Sequence, residues 1–167
     1  HLPWDGRGRV LEVGCGSGAL SIAAAKRFPL AAVQGIDYWP PMWNYGQAQC
    51  ETNAAAEGVA DRCTFQHGDA AKLDFPGNFV FHEVRTQKDK FMLVEEALRV
   101  LKKGGAFALH DTYGNKDMYG SMDEFVACLK QHGIADVSYL PNTERNIPMP
   151  ALLRFMLRGV GMLYGTK

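Results

Sequence analysis

Three glycines in five residues, Gly14, Gly16 and Gly18, follow an apolar run that ends in Glu12-Val13. Glycines at that spacing between a strand and a helix leave bare backbone beside a ligand and aim helix N–H groups at it. Two more acids follow at strand-like ends, Asp37 after Ala32–Ile36 and Asp69 after Cys63–Gly68. An acid about 20 residues beyond such a turn can accept hydrogen bonds from both ribose hydroxyls of a nucleoside. Asp69 is placed to accept one from an adenine amino group. Glu12 is a poor companion for a pyrophosphate, because like charges a few ångströms apart cost about 1 kcal/mol or more. It suits a ligand that carries a cationic sulfonium and an amino group. Gly14-x-Gly16-x-x-Ala19 also satisfies the looser dinucleotide pattern, so a nicotinamide-dependent oxidoreductase on the same turn is the competing reading. Cys15 inside the turn reads as a small space-filler and not as a nucleophile.

The elements that must position these residues alternate between short apolar runs and helical stretches, the pattern of an α/β domain with a mostly parallel sheet. Arg9–Val13 reads as the first strand, Ala19–Arg27 as a helix closed by Pro29, and Ala32–Asp37 as the second strand. A long alanine-rich helix follows Pro40-Pro41 and stops near Glu57-Gly58. Cys63–His67 is the third strand. Phe91–Lys102 is an amphipathic helix stopped by Lys103-Gly104-Gly105, and Ala106–Asp111 is a strand that again ends on an acid. Met122–His132 is a further helix, and Val137–Leu140 with Gly159–Lys167 supplies a closing pair of strands. Between Phe75-Pro76 and Phe91, only Asn78–Val84 is available for a fourth strand, and it is short.

Composition narrows the partners. The chain has 167 residues, which suits one domain (1–167) with one core. Its 18 basic and 18 acidic residues cancel, so no global field attracts nucleic acid, and none is expected as a substrate. No run reaches the roughly 20 apolar residues of a membrane helix. Four scattered cysteines, Cys15, Cys50, Cys63 and Cys128, contain no CxxC pair. Neither a disulfide framework nor a metal site is expected, and a reducing, cytoplasmic setting is the simpler reading. A homodimer is compatible with the sequence. The chain starts at His1 with a strand-like run close behind, so an N-terminal segment is expected to precede it.

Val10–Gly18 resembles motif I of class I S-adenosylmethionine (SAM) dependent methyltransferases. Gly35-Ile36-Asp37 resembles motif II, His67–Leu73 motif III, and Glu96–Phe107 the helix, turn and strand that follow the active-site strand. The resemblance implies a Rossmann-like, doubly wound sheet of seven strands, the last antiparallel, with helices on both faces. It also implies methyl transfer from SAM, with S-adenosylhomocysteine as product, to a small-molecule acceptor. Glu12, Gly14, Cys15, Gly16 and Gly18 would line the methionine end, Asp37 would bind the ribose with Tyr38 beside the adenine, and Asp69 and Ala70 would flank the adenine. Asn78 would sit near the methionine portion. Family members carry about eight more residues after a Leu-x-Phe-Pro segment than Phe75-Pro76-Gly77-Asn78 does here, so part of the fourth strand near 76–78 is expected to be missing.

Methyl transfer is an in-line displacement, so holding the acceptor aligned is the main task, and a base is needed only where the acceptor starts protonated. His82, after the fourth-strand position, and Asp111, at the end of the next strand, are the candidates for that role. A SAM-binding protein without transfer activity is the second alternative.

Overall fold

Strand β1 (Arg7–Val13) runs parallel to β2 (Leu30–Asp37), which runs parallel to β3 (Cys63–His67), giving a three-stranded sheet in the order β1-β2-β3. The computed structural model describes residues 4–39, 41, 44, 46–68, 89–134, 136–146 and 158–167. These fall into two units, one spanning Trp4–Phe79 and the other spanning Val80–Lys167 with the first three residues.

In the first unit each parallel crossover needs a helix, supplied by α1 (Ala19–Arg27) and α2 (Gln47–Ala56). Alternate β2 residues Ala31 and Val33 are buried together with Phe65 and Cys63 of β3. Ile22 and Ala25 of α1 and Cys50 and Ala54 of α2 complete this core. The small residues let the helices lie close to the sheet. The second helix starts at Gln47, later than Pro40-Pro41 suggests, with Gly46 as its N-cap.

The second unit contains α3 (Lys90–Val100), β4 (Ala106–Asp111), a single turn α4 (Lys116–Tyr119), α5 (Met122–Gln131), β5 (Asp136–Leu140) and β6 (Gly161–Thr166). A 3-10 turn spans Thr143–Asn146. Here β6 lies between β4 and β5 and is antiparallel to both. Gly165 is required by that pairing, because a Cβ there would lie 1.8 Å from the Asp136 carbonyl oxygen. Helix α3 buries Leu93, Val94, Ala97 and Leu98 along one stripe. It begins one residue earlier than its apolar pattern, because Asp89 caps it by accepting the Phe91 N–H at 2.9 Å. At its other end Lys167 Nζ donates to the Leu98 and Arg99 carbonyls at 2.6 and 2.9 Å, placing a cation on the negative helix terminus.

The expected last antiparallel strand is therefore present. The seven-stranded sheet is not what the described residues form: they give six strands in two three-stranded sheets. The candidate fourth strand, Asn78–Val84, and the junction at 76–78 lie outside the described residues.

Candidate functional site

The turn after β1 is stitched to the end of β2. The N–H groups of Gly14 and Cys15 both donate to the Ile36 carbonyl, at 2.8 and 3.1 Å. The next residue, Asp37, turns its carboxylate back: Oδ2 accepts the Gly16 N–H at 2.8 Å and Oδ1 accepts the Trp39 N–H at 2.8 Å. From outside, Trp39 Nε1 donates to the Gly16 carbonyl at 2.8 Å and the Cys50 thiol donates to the same oxygen at 3.1 Å. Asn53 Nδ2 donates to the Ser17 carbonyl at 3.0 Å. The turn is thereby held in shape before any ligand arrives.

Glu12 stands at the end of β1, one residue before the buried Val13. Its Oε2 accepts the Ser21 hydroxyl at 2.5 Å. Burial pushes its carboxyl up from 4.5 to about 7, with the nearby Asp37 charge adding to the rise and the Ser21 hydroxyl opposing it. Among the described residues neither Glu12 nor Asp37 has an ion-pair partner. Two carboxylates converging on a glycine turn, one of them desolvated, are stabilised by a bound cation. Each Asp37 oxygen accepts one backbone N–H and retains a lone pair for a hydroxyl donor. This donor and acceptor set fits the ammonium and ribose of SAM. It fits a dinucleotide pyrophosphate less well, because Glu12 would oppose it.

The sequence-derived residues divide clearly. Glu12, Gly14, Cys15, Gly16, Gly18 and Asp37 are gathered at this turn. Gly14, Gly16 and Gly18 have φ of 74°, 56° and 82°, the left-handed region where side chains are strained. Gly18 has a second reason to be glycine, since a Cβ there would lie 2.8 Å from the Phe65 ring. Cys15 is buried in the core, and burial raises its thiol far above the ordinary range, which suits a space-filler and disfavours a nucleophile. Tyr38 is 58% exposed, its ring centroid 5.0 Å from that of His67. Asp69, Ala70, Asn78 and His82 lie outside the described residues.

Asp111 belongs to the other unit, at the carboxyl end of β4. It is 2% exposed, and its Oδ1 accepts the Thr112 N–H at 2.5 Å and the Thr112 hydroxyl at 3.1 Å. The buried Lys90 faces its charge: burial lowers the Lys90 ammonium and Asp111 partly restores it. Tyr113 and Tyr119 pack edge to face nearby with centroids 4.8 Å apart. Burial raises both phenols well above 10, and both are core residues.

Sequence reasoning missed Ser21, Trp39, Cys50 and Asn53. Trp39, Cys50 and Asn53 each brace a turn carbonyl through one hydrogen bond, whereas Ser21, on the turn's own helix, holds Glu12. Nothing in local spacing marks the others, because their contacts span 23 to 36 residues.

The chain matches the methyltransferase domain family over residues 10–105, more than half its length. It is 28% identical over 170 aligned positions to a demethylmenaquinone methyltransferase of Listeria monocytogenes, covering 93% of this chain and 70% of that one. A polyketide synthase, ThaQ, of Burkholderia thailandensis is 39% identical over 74 residues, which are 42% of this chain; the chain spans only 3% of that protein. Among solved structures, a SAM-dependent methyltransferase from Geobacter sulfurreducens, in complex with S-adenosyl-L-homocysteine, superposes with a TM-score of 0.59 at 20% identity. That match covers 95% of this chain and 83% of the other, and it shows the same Rossmann-like α/β fold. The chain therefore belongs to the methyltransferase domain family, that of the class I SAM-dependent methyltransferases.

Proposed function

We propose that this chain, as one domain over 1–167, transfers a methyl group from SAM to a small-molecule acceptor. The observation that carries the reading is the pair Glu12 and Asp37 converging on the glycine turn without a cation among the described residues. SAM, when bound, supplies an activated methyl carbon and leaves as S-adenosylhomocysteine. Glu12 holds the ammonium of the cofactor's amino-acid end, and Asp37 accepts the ribose hydroxyls. Backbone at Gly14, Cys15, Gly16 and Gly18 passes close to the ligand, and Asn78 lies near its methionine portion. Tyr38, Asp69 and Ala70 flank the adenine.

His82 and Asp111 are the proposed residues for orienting the acceptor or taking its proton. Asn78–Val84 is the proposed fourth strand in chain order, the one that would bring the sheet to the family's seven. The relative named for demethylmenaquinone supports a small organic acceptor and leaves its identity open. No helix among the described residues is long and apolar enough to cross a membrane. The four free cysteines accord with a reducing compartment such as the cytoplasm.

Calorimetry with S-adenosylhomocysteine, SAM and NAD tests the cofactor reading, and tritiated methyl transfer to a metabolite panel that includes quinols and amines tests the activity. Micromolar binding of S-adenosylhomocysteine with no NAD binding is expected. Binding of NAD alone would overturn the reading.

A further inference from the structure

Helix α1 starts without a side-chain cap of its own. Its N-cap is Gly18, and no acidic residue lies in its first turn. First-turn N–H groups without partners, together with the helix dipole, favour a carboxylate at this end. Glu12 supplies it from β1, nine residues earlier, through the 2.5 Å bond from Ser21 Oγ to its Oε2. The Ser21 backbone N–H also favours the ionised carboxylate. Ser21 is 1% exposed, so its hydroxyl has no access to bulk water and depends on this acceptor.

The groups around Glu12 otherwise work against its charge. Asp37 at the end of β2 repels it, and the thiols of Cys15, Cys50 on α2 and Cys63 on β3 carry no positive charge to attract it. Among the described residues, Ser21 is the one side chain that holds the carboxylate in place and favours its ionised form.

We infer that Ser21 is a positioning residue of the cofactor site. It anchors one oxygen of Glu12 to the start of α1 so that the other oxygen faces the ammonium of the cofactor's amino-acid end. The inference rests on reading the turn as a SAM site. It separates two ends of the ligand: Ser21 and Glu12 serve the amino-acid end, whereas Asp37 serves the ribose.

The test is calorimetry on the whole chain, as wild type, Ser21→Ala and Ser21→Thr, between pH 6 and 9. Two probes are used: S-adenosylhomocysteine, and 5′-methylthioadenosine, which lacks the amino acid. Ser21→Ala is expected to weaken S-adenosylhomocysteine about tenfold at pH 7 and to move the pH at which affinity levels off upward by about one unit. Affinity for methylthioadenosine should stay within about twofold. Ser21→Thr, which keeps the hydroxyl, should restore both the affinity and the profile. The inference is overturned if Ser21→Ala binds S-adenosylhomocysteine like wild type, if it weakens both probes equally, or if Ser21→Thr binds methylthioadenosine normally yet behaves like the alanine variant. Failure of the wild type to bind S-adenosylhomocysteine or SAM is a separate result and overturns the cofactor reading itself.

Discussion

The Asp37 carboxylate accepts the Gly16 N–H at 2.8 Å across 21 residues of sequence, so the acid that ends β2 also shapes the turn that ends β1. Its other oxygen holds the Trp39 N–H, and Trp39 in turn holds the Gly16 carbonyl. One side chain therefore closes a ring of bonds around the turn, so a variant that removes its proposed contact with the ribose also disturbs the turn's shape.

Asp37→Ala should accordingly lose affinity for both S-adenosylhomocysteine and methylthioadenosine, each by tenfold or more, and lose about 2 kcal/mol of stability because two N–H groups lose an ionised acceptor. Asp37→Asn keeps one acceptor oxygen and should fall between the alanine variant and wild type in thermal unfolding. If Asp37→Ala lowers stability but leaves methylthioadenosine binding intact, the acid shapes the turn without contacting the ribose.

Glu12 gives the site a pH dependence of definite sign. Its carboxyl is raised from 4.5 to about 7, with burial as the main cause, so between those values the unfolded chain releases a proton that the folded chain retains. Its contribution to stability is therefore full below about 4.5 and is lost as pH rises through about 7. An ammonium group beside Glu12 favours the ionised form, so affinity for S-adenosylhomocysteine should rise with pH up to about 7, by at most about tenfold per unit, and then level off. Binding at pH 6.5 should release protons, which calorimetry in buffers of different ionisation enthalpy measures directly. Glu12→Gln should raise unfolding stability at pH 8 by about 1–2 kcal/mol, bind S-adenosylhomocysteine more weakly and lose the proton release. A flat pH profile in the wild type would remove Glu12 from the ligand site.

The glycine turn and the strand-end acids Asp37 and Asp111 were legible in the sequence because their signal is local. A left-handed turn needs glycine whatever surrounds it, and an acid at a strand end is visible from the apolar run before it. The same locality located Cys63–His67 and Ala106–Asp111 to the residue. The braces Trp39, Cys50 and Asn53 were not legible, because only the crossovers through α2 and the end of β2 bring them back to the turn. Start points of α2 and α3 also shifted, since each follows its cap and not its apolar periodicity: Gly46 for the first and Asp89 for the second.

Gly35 and Gly18 illustrate two different needs for glycine, and a pair of variants distinguishes them. Gly35 pairs in register with Glu12 on one side and Phe65 on the other. A Cβ there would lie 2.7 Å from Phe65 Cδ1 and 3.0 Å from Cys15 Cβ. Gly35→Ala should therefore cost about 1–3 kcal/mol by overpacking, and most of that cost should vanish when the same change is measured in a Phe65→Val background. Gly18 meets the same ring at 2.8 Å but also has φ of +82°. In Gly18→Ala the smaller ring substitute removes the clash and leaves the backbone strain of about 1–2 kcal/mol. Equal rescue of both variants in thermal unfolding would show that the conformation of Gly18 contributes nothing.

Asp111 tests whether a buried acid at a strand end serves acceptor chemistry or only the fold. It is 2% exposed, tied to Thr112 and faced by the buried Lys90, which is the environment of a structural charge. Asp111→Asn removes the charge while keeping one acceptor, so Lys90 would be left with less compensation; a loss of about 1–3 kcal/mol in stability is expected. A double-mutant cycle with Lys90→Met should return a coupling above about 0.5 kcal/mol if the two charges act together. Affinity for S-adenosylhomocysteine should not change, because the role proposed for Asp111 is toward the acceptor and not the cofactor. The deciding quantity is turnover per folded molecule once an acceptor is found. A fall of about 100-fold in kcat for Asp111→Asn places the acid at the acceptor as a base or orienting group. An unchanged kcat, with the stability loss and the coupling intact, makes Asp111 a structural charge that is coupled to Lys90 and tied to Thr112.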